Sequence, residues 1–160
     1  MWQDLLGAHG FDILPNLAAL AIAYVLALPI GWNRERKARS AGLRTFPLVA
    51  VAACGFIQAA EPLIAGDAAA MARIVEGVIT GMGFIGGGAI LQTKDSVKGT
   101  ATAASLWITG AIGVAVGLGS YGTALVLSAI TLVTLWVLTG VKHRLDEQRD
   151  EGSGAGASGE

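Results

Sequence analysis

Charged side chains cut the chain into long uncharged runs, and those runs predict its elements. Ile13 to Trp32 carries no charge across 20 residues. At ~1.5 Å of helical rise per residue it covers roughly 30 Å, one hydrocarbon thickness. Thr45 to Ala60 is a second run of 16 residues. That is short for a lipid-exposed helix, so it predicts either burial among neighbours or extension past Glu61. A third span runs from about Ile74 to Gln92, with Glu76 as its one acid. Gly99 to Val141 is then uncharged over 43 residues, about 65 Å of helix, enough for two crossings. Gly117 to Gly122 divides it into a fourth span, Thr100 to Val116, and a fifth, Thr123 to Val141. The pattern predicts an all-α bundle of about five transmembrane helices.

Turn and cap residues fall between the runs. Pro29 predicts a kink in the first span. Gly42 is placed to end a short helix, Thr45 to cap the next, and Pro47 to occupy its first turn. Pro62, Gly66 and Asp67 mark a connection over 61–73, and Thr93 to Lys98 a short loop. The divisions expected are a segment 1–12, a transmembrane domain 13–141 and a disordered, Gly- and Ser-rich tail 142–160. Met1 to Phe11 has no Lys or Arg, so no cleaved signal peptide is expected.

Charge orients the bundle. The stretch Trp32 to Thr45 holds five of the eleven Lys and Arg residues, Arg34, Arg36, Lys37, Arg39 and Arg44. A cation at mid-bilayer costs roughly 3 kcal/mol, so this stretch is a loop, and the positive-inside bias makes it cytoplasmic. With the N-terminus outside and the C-terminus in the cytoplasm, every Lys and Arg except Arg73 falls on the cytoplasmic side. Composition agrees, at 53% hydrophobic, 14% charged and mean hydropathy +0.60, a membrane profile. A single cysteine, Cys54, leaves no disulfide within one chain.

Candidate chemistry is sparse. Ala101, Ser105, Thr109, Gly113 and Gly117 are small residues four apart, a ridge for close helix packing. Gly77/Gly81 and Gly83/Gly87 repeat the spacing, so the third and fourth spans are expected to form the tight centre, with the fifth facing lipid. The ridge reads either as packing or as the lining of a narrow polar path. Glu76 shares a helical stripe with Thr80, Gly83 and Gly87; intramembrane acids are functional candidates, and the bland alternative is reach to the outer interface. Asn16 and Asn33 are further oxygen donors. In the basic loop, Glu35 and Arg39 are spaced as a helical pair. A sharper reading joins Arg34, Glu35 and Arg44 in a network against the Thr100–Ser105 helix start, and the bland one is topology and attraction to anionic headgroups. His9 and His143 lie far apart, and Lys98-Gly99-Thr100 lacks the phosphate-loop spacing. No enzyme, no cofactor and no nucleic-acid partner is expected.

Two blocks resemble the MgtC/SapB family of bacterial inner-membrane proteins. Gly31-Trp-Asn-Arg-Glu with Ala41-Gly-Leu-Arg-Thr45 is similar to its G-x-x-R-E and A-G-L-R-T motifs. Gly81-Met-Gly-Phe-Ile-Gly-Gly-Gly-Ala-Ile-Leu91, Lys98-Gly-Thr-Ala-Thr-Ala-Ala-Ser-Leu-Trp107 and Gly113 to Gly119 resemble its second block. The candidate residues are then Arg34, Glu35, Gly42, Arg44, Thr45, Gly81, Gly83, Gly87, Gly99, Thr102, Ser105, Trp107, Thr109 and Gly113. Thr100 and Ala101 depart from the motif, which has Leu and then a polar residue. The resemblance implies a multi-pass inner-membrane protein tied to growth in low magnesium and, in pathogens, to survival in macrophages. It also implies the membrane sector of the F-type ATP synthase as a partner. The C-terminal cytoplasmic domain of many members, and regulation through it, are expected to be absent.

Two functions follow as expectations. One is a non-enzymatic regulator acting through helix–helix contacts, with itself as a homo-oligomer or with a partner, through the ridge at Ser105 and Gly113. The other is a pathway for Mg²⁺ or another cation past Glu76 and the glycine-rich third span. A lipid-binding scaffold, resting on Arg36, Lys37 and Arg39, is a third.

Overall fold

The computed structural model describes residues 13–37, 42–64, 66–93 and 96–137. The expected segment 1–12, the tail 142–160 and Arg39, the proposed partner of Glu35, lie outside them. The described chain forms five helices: α1 (Ile13–Lys37), α2 (Thr45–Ile64), α3 (Ala68–Gly88), α4 (Thr100–Gly117) and α5 (Tyr121–Val137). The first four are long and apolar enough to cross a membrane. Exposed Leu14, Val25, Leu48, Phe56, Phe84, Leu125 and Ile130 cover the outside, a surface matched to lipid rather than water.

Several boundaries differ from the sequence pattern. α1 runs through Asn33 to Lys37, so the first charged residues of the basic stretch are helical rather than looped. α2 extends past Glu61 to Ile64 and carries Pro62 inside it. Thr45 is its first residue rather than its cap, while Pro47 lies in the first turn as expected. α3 begins six residues before the predicted Ile74 and takes in Arg73; Asp67 caps it, its carboxylate accepting from Ala69 N at 2.8 Å and Ala70 N at 3.2 Å. The Gly86–Gly88 run ends this helix. Between α3 and α4 stands a hairpin, β1 (Leu91–Thr93) and β2 (Ser96–Lys98), antiparallel with Gln92 opposite Val97.

The centre is not where the glycine spacing placed it. α4 touches α1, α2 and α3, and its closest partner is α2. Three of the helices pack through small and β-branched residues. α1 presents Ala19, Ala23, Ala27 and Ile30; α2 presents Ala50, Ala53, Cys54 and Ile57; α4 presents Thr109, Ile112, Gly113 and Val116, all buried. Lipid tails are as apolar as Leu, so close van der Waals packing rather than hydrophobic burial holds such helices together. α5 is not wholly lipid-facing: Ala124, Ser128, Thr131 and Leu135 form a buried stripe. The Ser128 hydroxyl donates to Leu26 O on α1 at 2.8 Å.

Candidate functional site

The α4 ridge is consumed inside the molecule. A Cβ placed on Gly113 would fall on Ala50 O and lie 2.8 Å from Ala53 Cβ. One on Gly117 would lie 2.8 Å from Ile57 Cβ and 3.0 Å from Cys54 O. Both glycines let the α2 backbone approach, at positions where any side chain forces the helices apart. The hydroxyls between them turn back into their own helix: Ser105 Oγ donates to Ala101 O at 2.6 Å, and Thr109 Oγ1 to Ser105 O at 2.7 Å. Both residues are buried in the seam with their protons so used. Thr102 is buried, Trp107 and Ala101 are exposed, and Gly110 takes Met82 of α3. Thus α3 meets α4 through Met82 and through Gly86, which faces Ala103 O.

The basic motif folds around Glu35. Its carboxylate accepts from Leu43 N at 3.1 Å, tying the end of α1 to the turn before α2. Gly42 lies directly beneath, where a Cβ would overlap the Glu35 carboxylate and lie 2.7 Å from its Cβ. Gly31 completes the approach, with a Cβ there 3.1 Å from Gly42 O. The motif's glycines and acid therefore form one backbone clamp. The wider network expected with Arg34 and Arg44 is not formed among the described residues. Arg34 is buried with its Nε unpartnered there, and Arg44 is exposed. Gly99 is a second required glycine: its φ of +89° is left-handed, and a Cβ would strike Ala89 O.

On α3 the glycines do something else. Gly77, Gly81, Gly83, Gly87 and Gly88 have nothing within 4 Å of where a Cβ would stand, and all are exposed. Glu76 and Thr80 are exposed on the same helix, the Thr80 hydroxyl donating to Glu76 O at 2.8 Å. The eight-residue offset from Ala68, the start of α3, puts Glu76 roughly 12 Å along it, well inside an apolar span. Glu76 borders neither of two cavities between the helices. Asn16 lines one and Asn33 the other, so the three oxygen-bearing residues do not converge. Among the described residues, no three His, Cys, Asp or Glu side chains gather as a metal site. The sequence pattern missed the exposure of this face, because spacing marks small residues without saying which neighbour they meet.

Comparison with known proteins supplies the family. The MgtC family model matches residues 20–144. Protein SrpB of Synechococcus elongatus is 42% identical over 130 residues, 72% of this chain and 70% of its own length. Protein MgtC of Salmonella typhimurium is 34% identical over 135 residues, covering 84% of this chain and 57% of its own length. Protein MgtC of Brucella abortus is 38% identical over 132 residues, 82% of this chain and 51% of its own length. The chain thus spans little more than half the length of the MgtC proteins it matches. No solved structure matches it. Four helices fit to span a bilayer, an α4 ridge closed on α2, a Glu35 clamp over Gly42 and a family match over most of the length lead to one statement: this chain is a multi-pass membrane protein that belongs to the MgtC family.

Proposed function

We propose that the protein is a non-enzymatic inner-membrane regulator whose working surface is the open face of α3. One observation carries it: five α3 glycines, Gly77, Gly81, Gly83, Gly87 and Gly88, make no close approach to anything within the chain. Each costs ~1 kcal/mol of helix propensity against Ala. Such a cost is returned when another helix comes near at backbone distance. Glu76 points the same way. An acid facing lipid within a span costs about 3 kcal/mol, and a partner offering a hydroxyl, amide or cation removes that cost. The partner is a second copy of this chain or a helix of another membrane protein. The family resemblance brings forward the membrane sector of the F-type ATP synthase, and a role in adaptation to low magnesium or intracellular stress.

The contacts of Gly113 and Ser105 redirect the choice of test, because both lie in the core. Gly81→Leu and Gly83→Leu are the informative variants. Both should keep the melting temperature of the parent protein and lower self-association or partner capture, read by single-molecule photobleaching in vesicles. Unchanged association in both variants refutes the proposal. A cation path past Glu76 would need water there; that Glu76 borders neither cavity weighs against it. Flux of Mg²⁺ into liposomes above the empty-vesicle level, reduced by Glu76→Gln, would overturn the regulator reading in its favour.

A further inference from the structure

At the basic-loop end of the bundle, α1 and α5 part to leave a groove of about 860 Å³. Its walls are apolar: Leu28 and Pro29 on one side, Leu132 and Val133 on the other. Pro29 stands inside α1 and lacks the N–H that would continue the helix ladder here. Trp32 and Trp136 flank the opening, both exposed, as indole rings are where hydrocarbon gives way to headgroups. From Arg36 back to Leu28 the groove is roughly 12 Å deep along α1.

Two polar groups interrupt this apolar lining. Arg36 lies at the mouth with its guanidinium 5.5 Å from the centre of the Trp32 ring. Asn33 also lines the groove, is only 8% exposed, and its Oδ1 accepts from no donor among the described residues. That oxygen is sealed from the groove, so it offers an occupant no contact. The lining therefore asks for two things from one occupant: an apolar chain and an anion at the mouth.

We propose that this groove binds an anionic phospholipid. An acyl chain lies between Leu28 and Leu132, and the phosphate meets Arg36. A transmembrane helix fits these demands poorly. It is ~10 Å across with its side chains. It brings no anion to Arg36. The site is separate from the α3 face, and either can fail without the other.

The test is native mass spectrometry of the full chain, titrated with phosphatidylglycerol, phosphatidylcholine or phosphatidic acid in detergent. Phosphatidylglycerol and phosphatidic acid should both be retained above phosphatidylcholine. Arg36→Gln should weaken both about fivefold, the worth of one interfacial cation. Val133→Trp, which fills the groove, should abolish the preference. Arg44→Gln removes an exposed cation away from the groove and should change nothing. The proposal is overturned if phosphatidylcholine binds equally well, if Arg44→Gln weakens binding as much as Arg36→Gln, or if Val133→Trp leaves the preference intact. A dimer or protein adduct that Val133→Trp dissociates would also overturn it, by assigning the groove to a helix. A melting scan of each variant separates loss of lipid from loss of fold.

Discussion

Gly113→Ala is the sharpest probe of how this bundle is held. The added methyl meets Ala50 O and Ala53 Cβ, the latter 2.8 Å away, where carbon atoms want about 3.5–4.0 Å. One of the obstructing atoms is backbone, so no rotamer change relieves it and α2 and α4 must separate. Overpacking costs about 1–3 kcal/mol, and the rigid neighbour puts this case in the upper half. Alanine recovers ~1 kcal/mol of helix propensity. The net loss of about 1–2 kcal/mol corresponds to a fall of roughly 2–8 °C in Tm for a chain of this size. Gly81→Ala is the matched control: the propensity gain is the same and there is nothing within 4 Å, so Tm should hold or rise. Adding Ala53→Gly to Gly113→Ala should restore only part of the loss, since the clash with Ala50 O remains. The assay is thermal unfolding in one detergent, followed by size-exclusion fluorescence. If Gly113→Ala and Gly81→Ala melt together, the α2–α4 seam is not what holds the fold.

Gly42→Ala should displace the Glu35 carboxylate from Leu43 N and lower stability by about 1–3 kcal/mol, the cost of crowding against Glu35; the same thermal scan measures it. Gly99→Ala combines a left-handed φ of +89° with a collision at Ala89 O. It should cost about 1–2 kcal/mol from the backbone conformation alone, and speed amide exchange in β1 and β2. Ser128→Ala removes the bond to Leu26 O, and by the usual worth of interhelical hydrogen bonds in membranes should cost only about 0.6 kcal/mol. A larger loss would mean that α5 is held on α1 mainly by that hydroxyl.

Much of the fold was legible because charge is so expensive in a bilayer. The uncharged runs alone place α1, α2 and α4 within a few residues. α3 was cut short because Arg73 was read as outside, although a long cation one turn and a half into a helix still reaches the interface. The hairpin was read as a loop because three-residue strands leave almost no periodic signal; the two-residue link between Thr93 and Ser96 was the available cue. The site was less legible. The α4 spacing at Ser105, Thr109 and Gly113 correctly announced a close approach, but nothing in it says that α2 is the neighbour. The same spacing on α3 marked residues that meet no neighbour within the chain. Glu35 and Gly42 are seven apart, and nothing in that spacing says that they meet. Asn33 stood out as an oxygen donor, yet its burial depends on how the helices pack, which no local pattern carries.

The position of α4 has a consequence for biogenesis. Among the described helices it is the fourth to be made, yet the three before it all pack on it. Until residue 117 has been made, Ala50, Ala53 and Met82 lack the neighbour they meet in the finished bundle. A chain halted in translation before that point should therefore be cut by a membrane protease faster than the completed one.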